Sequence, residues 1–189
     1  MSIFVKLLQA KLENLGINDW KVYHYPSVES TNDEAKSLLN SHQNVVVFAE
    51  TQKKGRGTND RIWESPRGGV WISIATRMHL PINDYSSIIA NRLTSIYSDI
   101  TDKVCIHKPV NDILLNGRKL AGVLVETKIS GSSIIELVAG IGVNVYNELP
   151  DYLKDVGIAM SEVTASTSVF EVAQETALEI ILLLRSFLN

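Results

Sequence analysis

Cysteine is nearly absent: Cys105 is the only one among 189 residues, which excludes an internal disulfide and a thiol-rich zinc site. It lies in the apolar run Val104-Cys105-Ile106 and reads as a buried, inert thiol. The four histidines, His24, His42, His79 and His107, have no metal-ligand spacing. Basic excess is missing too. A formal net charge of −3 argues against a general nucleic-acid binder, because nothing is left over to neutralise phosphates. No apolar stretch reaches the roughly 20 residues that span a bilayer, and the N-terminus lacks the apolar core of a signal peptide. The expectation is a cytoplasmic protein with no membrane and no nucleic-acid partner.

What is present suits a globular chain: 45% hydrophobic and 21% charged residues, with a length that fits one domain over residues 1–189 and a full core. No repeat, low-complexity tract or linker breaks it. Ile3, Phe4, Leu7, Leu8, Leu12 and Leu15 form a helical stripe ended by Gly16. A short strand over 20–25 stops at Pro26. Ser30 with Asp33, or Thr31 with Glu34, spells a capping box for a helix with Ala35, Leu38 and Leu39 inward; from spacing alone these polar residues are caps and nothing more. Val45 to Ala49 is a continuous apolar run, typical of a strand covered on both sides. Asn83 caps the next helical pattern, 83–100, and Ser168 with Glu171 caps the last one. In the strand expected over 133–146 the odd positions from Ile135 to Val145 are apolar, whereas Glu136, Gly140, Gly142 and Asn144 share the other face. Glycines inside a strand mark a close approach by another backbone or a ligand. Strands and helices mix and hairpins are explicit. The fold class is therefore α+β, a mixed and largely antiparallel sheet flanked by helices.

Two segments carry candidate chemistry. The loop from Thr51 to Gly69 holds Lys53, Lys54, Arg56, Arg61 and Arg67 against Asp60 and Glu64. Gly55 and Gly57 bracket Arg56 there, so backbone N–H groups can approach an anion and an arginine can grip it bidentately. No P-loop and no complete dinucleotide fingerprint occurs in the chain. The other segment is 111–126, a hairpin turning at Asn116-Gly117. Closed on that turn, Leu115 faces Arg118, Leu114 faces Lys119 and Asp112 faces Ala121. Asp112 and Lys119 then become diagonal neighbours roughly 7–8 Å apart, a gap that suits a bridging phosphate or metal better than a direct ion pair. Read alone, either segment is equally an ordinary exposed hairpin or a solvated loop.

Together they resemble one family. GRGTNDRIWESPRGGVW is similar to the glycine-arginine loop of biotin–protein ligases, KPVNDILLNGRKLAGVLVE to their Lys-Trp-Pro-Asn-Asp segment and lysine hairpin, and GIGVNV to their late glycine strand. Ser30-Thr31-Asn32 falls where that family has an early Ser-Thr-Asn. The resemblance covers roughly residues 27–146. It implies a class II aminoacyl-tRNA-synthetase-like catalytic sheet and a two-step reaction. Biotin and ATP-Mg²⁺ give biotinyl-5′-AMP, and a lysine of a biotin carboxyl carrier protein domain takes the biotin. By resemblance Lys119 and Arg56 are catalytic. Ser30, Thr31, Asn32, Gln52, Gly55, Arg56, Gly57, Thr58, Lys119 and Gly122 meet biotin. Arg56, Arg61, Trp63, Asn111, Asp112, Lys119 and Asn144 meet ATP, Trp63 by packing on the base, and Asp112 helps place Mg²⁺ or Lys119.

The chain departs from that pattern at Pro109-Val110, where the family has tryptophan and proline, and at Thr58, where it has a further arginine. No N-terminal helix-turn-helix domain and no C-terminal β-domain are expected; an exposed strand edge allows a homodimer, and the sequence leaves the oligomeric state open. The alternatives are a lipoate–protein ligase or acyl transferase, which resembles the same fold, and a non-catalytic binder of anions.

Overall fold

A computed structural model describes residues 1–165 and 167–188, with Asp60 described by its backbone alone. Ser166 in the expected loop over 147–166, and Asn189 at the expected end of the last helix, lie outside the described residues. The chain opens with α1 (Ile3–Asn14), β1 (Lys21–Tyr25), α2 (Thr31–Leu38) and β2 (Asn44–Ala49). A long loop leads to β3 (Val70–Thr76), the two-residue β4 (Leu80–Pro81) and α3 (Tyr85–Thr101). Four strands follow, β5 (Cys105–Lys108), β6 (Asp112–Leu115), β7 (Arg118–Ser130) and β8 (Ser133–Val143), and then α4 (Val169–Ser186).

All the strands join one sheet in the order β1-β2-β3-β8-β7-β6-β5, with β4 beside β8. Only the β1–β2 pair is parallel, so the α+β, largely antiparallel expectation holds. Alternation along β2 separates two cores. Val46 and Phe48 face α1, α3 and α4 in the larger one, and Val45 and Val47 meet Ala35 and Leu39 of α2 in the smaller. Three helices therefore cover one face, and α2 covers only one end of the other. The rest of that second face, over β3, β8, β7 and β6, lies beyond α2 and carries the site.

Three local patterns differ from the sequence reading. Asp84, not Asn83, caps α3, because its carboxylate accepts from the Ser87 N–H. On α1 the buried side chains are Phe4, Val5, Leu8 and Leu12, whereas Ile3, Leu7 and Leu15 are exposed. The lysine hairpin contains a bulge: Leu115 pairs Arg118 and Leu114 pairs Lys119 as expected, but Ile113 pairs Ala121 and Asp112 pairs Gly122. The cause lies on the far side of β7. Lys119 N–H donates to Val156 C=O at 2.7 Å, Ile158 N–H donates to Lys119 C=O at 3.0 Å, and Asn144 N–H donates to Leu120 C=O at 3.0 Å. Backbone groups engaged there cannot also keep the ladder to β6, so one extra residue bulges out. Gly122, rather than Ala121, consequently shares a face with Asp112 and Lys119.

The seating of α4 is testable on one helix. Ile180 is fully buried and Leu182 is 38% exposed. Ile180→Ala is expected to cost about 2–5 kcal/mol and Leu182→Ala less than about 0.5 kcal/mol, read as shifts of the urea midpoint. Equal losses at both positions would contradict this packing.

Candidate active site

A cavity of about 180 Å³ opens on that uncovered face. Its floor starts at the first turn of α2. Ser30 occupies the N-cap position, but its side chain makes no capping bond. The expected capping box does not form, because the Asp33 carboxylate is held by Arg56 and that of Glu34 by the Tyr25 hydroxyl. Ser30, Thr31 and Asn32 are each only 4% exposed, and Thr31 and Asn32 are wired into the sheet. Thr31 donates to Gln52 Oε1 through its backbone N–H at 2.8 Å and its hydroxyl at 3.0 Å. Gln52 Nε2 donates to Ser65 Oγ at 2.9 Å, and Ser65 Oγ to the Trp63 carbonyl at 2.9 Å. Ser73 Oγ lies 2.6 Å from Asn32 Oδ1 and 2.8 Å from Thr31 Oγ1. Buried polar groups are tolerated only when paired, and this chain of bonds meets that condition.

The basic loop is a small hairpin rather than a solvated tether. Arg56 bridges Ile62, Gly57 N–H donates to Arg61 C=O at 2.7 Å, and Trp63 N–H donates to Gly55 C=O at 2.9 Å. Asn59 turns it with a φ of 56°. The turn delivers the Trp63 indole onto the sheet. A Cβ on Gly142 would stand 2.4 Å from Trp63 Nε1, one on Gly122 3.0 Å from the ring, and one on Gly140 2.2 Å from Asn32 Oδ1. The strand glycines thus admit an indole and an amide, and Trp63 forms a wall of the cavity. Its Nε1 is buried with no hydrogen-bond partner among the described residues.

Lys119 sits at the bulge, with its ammonium 4.9 Å from the centre of the Trp63 ring and 2.7 Å from Asp112 Oδ1. That direct ion pair corrects the expected bridged gap of 7–8 Å; the bulge changes the register, and the lysine stem folds back across it. Asn111 and Asn144 secure the same strand. Asn111 Nδ2 donates to Val123 C=O at 2.9 Å, and Asn144 Nδ2 lies 3.5 Å from Lys119 C=O while its Oδ1 accepts from Asn147.

Three cations line the cavity, and they differ in engagement. Arg56 forks onto Asp33, with Nη2 to Oδ1 at 2.8 Å, and reaches Glu126 at 3.5 Å. The hydrogen bond from Arg56 holds the Asp33 carboxyl below its usual range, and the same bond raises the guanidinium further. Lys119 is paired with Asp112. Arg61 has no ion pair among the described residues. No group of three or more His, Cys, Asp or Glu side chains able to hold a metal occurs among the described residues. Magnesium needs no such cage: it takes one or two carboxylates plus phosphate oxygens, so Asp112 fits an ion that arrives on a nucleotide.

Of the residues singled out in the sequence, Ser30, Thr31, Asn32, Gln52, Arg56, Gly57, Thr58, Arg61, Trp63, Asn111, Lys119, Gly122 and Asn144 line this one cavity. Gly55 stands behind it, where a Cβ would strike the Trp63 carbonyl and Ser65, and Asp112 touches it only through Lys119. Sequence reasoning missed Ser73 and Glu126, as well as the wall made by Leu149, Leu153, Val156 and Gly157, whereas the close approach expected at the strand glycines Gly140 and Gly142 is met. Ser73 had a signal, a lone hydroxyl within the apolar strand Val70 to Ala75. The wall had none, because an irregular segment shows no periodicity.

Comparison with known proteins places the chain. Residues 25–144 match the model of the biotin/lipoate A/B protein ligase family. The bifunctional ligase/repressor BirA of Bacillus subtilis is 31% identical over 150 residues, covering 75% of this chain and 46% of that protein. The biotin–[acetyl-CoA-carboxylase] ligase of Paracoccus denitrificans is 33% identical over 123 residues, covering 61% and 51%. Among solved structures, the biotin protein ligase of Aquifex aeolicus in complex with biotin and ATP superposes with a TM-score of 0.75 at 26% identity, over 88% of this chain and 71% of that one. The chain spans about half the length of the two curated relatives. With 120 of its residues matched by the family model and the cavity built from the same segments, this chain belongs to the biotin/lipoate A/B protein ligase family.

Proposed function

We propose that this chain is a biotin–protein ligase that joins biotin to ATP-Mg²⁺ as biotinyl-5′-AMP and passes the biotin to a lysine of a carboxyl carrier protein domain. One observation carries this reading: a single cavity combines a polar floor of buried Ser30, Thr31 and Asn32 and half-buried Gln52, the last three hydrogen-bonded, with Lys119 and with Arg61, which has no ion pair among the described residues. A ureido ring needs donors and acceptors at the blind end of its site, whereas the dithiolane of lipoate offers none. In the first step a carboxylate oxygen attacks the α-phosphorus, a P–O bond forms, and pyrophosphate departs with the broken P–O bond. Two anions must meet, so fixed cations aimed at the developing charge dominate the catalysis. Lys119 takes that position between the carboxylate and the α-phosphate, with Arg56 assisting and Arg61 meeting the nucleotide. Asn111 and Asn144 hold the strand that carries Lys119. Mg²⁺ comes as part of the substrate, with Asp112 as the nearest carboxylate.

In the second step the carrier amine attacks the acyl carbon, a C–N bond replaces the mixed-anhydride C–O bond, and AMP leaves. The nucleophile belongs to the partner, so the chain needs no Ser, Cys or His of its own for this chemistry. The loop around Arg56 excludes water, which would otherwise hydrolyse the anhydride. A cytoplasmic setting and a pair of copies joined at a strand edge belong to the same reading, as does a single catalytic domain over residues 1–189.

Two measurements test it. Lys119→Ala is expected to lower biotin-dependent ATP–pyrophosphate exchange by about 10²–10³-fold while the melting temperature barely moves, since a part-exposed pair contributes about 0–1 kcal/mol. Undiminished exchange would remove Lys119 from the chemistry. In a thermal-shift comparison with ATP-Mg²⁺ present, biotin should stabilise the protein and lipoate should not. Stabilisation by lipoate alone would assign the chain to the lipoate branch of its family, and stabilisation by neither would leave an anion binder.

A further inference from the structure

Glu126 lies on β7 opposite Val138, half-buried behind the cavity floor. It meets three side chains from two other parts of the chain: Asn32 Nδ2 at 2.7 Å and Lys36 Nζ at 2.6 Å, both on α2, and Arg56 Nη2 of the loop at 3.5 Å. Burial works against its ionisation, but the hydrogen bonds from Lys36 and Asn32 and the charges of Lys36 and Arg56 outweigh burial and hold the carboxyl below its usual range. The group is therefore an anion at neutral pH, able only to accept.

That restriction matters for Asn32. An asparagine amide can stand either way round, and its neighbours decide which. On one side Asn32 meets Ser73 Oγ at 2.6 Å, a hydroxyl able to donate or accept, so Ser73 tolerates either end of the amide. On the other it meets a carboxylate, which tolerates only the N–H end. Glu126 alone breaks the tie. Asn32 then turns its oxygen to Ser73 and Gly140 and its nitrogen to Glu126. One amide proton is spent on Glu126, and the second has no partner among the described residues, beside a cavity that Asn32 lines.

We propose that Glu126 is a positioning residue for substrate selection: it fixes the Asn32 amide so that the cavity floor offers an N–H, not a C=O, to the ureido head of biotin. The inference rests on the biotin reading above and adds to it the residue that sets the polarity of the floor. Glu126 also joins Asp33, Lys36 and Arg56 in a set of two carboxylates and two cations, so its charge is balanced without any ligand.

The test uses pyrophosphate exchange with biotin and ATP varied separately, alongside melting temperatures. Glu126→Gln supplies both a donor and an acceptor, so the Asn32 amide loses its fixed sense. The KM for biotin is expected to rise about tenfold, the typical loss for one polar contact, with kcat and the KM for ATP within about twofold. A second protein carries Asn32→Asp together with Glu126→Gln. It restores the hydrogen bond between the two positions and the net charge of the set, but position 32 then has no proton to offer. Its melting temperature should return to within about 2 °C of the native protein, while the KM for biotin stays high. An unchanged biotin KM in Glu126→Gln overturns the proposal. Recovery of both melting temperature and biotin KM in the double variant also overturns it, leaving Glu126 a purely structural role. A native protein that shows no exchange with biotin sinks the biotin reading itself, and this inference with it; the native control separates that failure from the other two.

Discussion

The indole of Trp63 rests against a part of the sheet where glycines leave room for it, and the site is built around that contact. Gly142 and Gly122 sit opposite one another on β8 and β7; a methyl group on Gly142 would collide with the ring, and one on Gly122 would crowd it at 3.0 Å. With the ring seated, the basic loop is fixed to the sheet at its exit, and Lys119 has an aromatic face beside its ammonium. A cation over an aromatic ring gains about 0.5–2 kcal/mol, more as it is desolvated. The Asp112 pair adds a second restraint from the neighbouring strand. Neither restraint is large, but together they leave a flexible lysine stem few alternatives, and the role proposed for Lys119 calls for such preorganisation.

Charge in the cavity is distributed unevenly, and the unevenness has a chemical meaning. Arg56 is committed to Asp33 and Glu126, Lys119 to Asp112, and Arg61 to none of the described residues. Among the described residues no carboxylate competes with an anion for Arg61. To reach Lys119 it must compete with Asp112, a carboxylate about a quarter exposed and partly screened by solvent. To reach Arg56 it must break a two-pronged contact, a stronger arrangement than a single bond. Arg56 thereby also ties the loop to the first turn of α2 and to β7.

Much of this was legible in the residues. The Asn116-Gly117 turn, the glycine-interrupted strand and the arginine-glycine loop each located one wall, because each departs from the periodicity of packed structure. Illegible were the features that depend on what lies across the sheet. The bulge at Leu120 could not be read from the hairpin, since its cause is the 156–158 segment bonded to the opposite side of β7. For the same reason Asp112 pairs Gly122 rather than Ala121, and its carboxylate meets Lys119 directly. Ser30 to Glu34 illustrates the converse. Local spacing offered a capping box worth about 1 kcal/mol, and tertiary partners took Asp33 and Glu34 instead.

That outcome at α2 is a trade between stability and recognition. Leaving Ser30 without a capping bond, and burying Thr31 and Asn32 at the start of a helix, sacrifices local stability that a conventional N-terminus would keep. The losses are offset only because Gln52, Ser73 and Glu126 each supply a partner from a different strand or loop. A floor assembled this way is costly to disturb, since an unpaired member of a buried polar network forfeits its full desolvation energy. The same stringency makes it selective. A ligand that matches the remaining donors and acceptors completes the network, and one that presents only hydrocarbon or sulfur leaves them buried and unpaired. The same bonds that hold the start of α2 in place therefore also fix which donors and acceptors face the cavity.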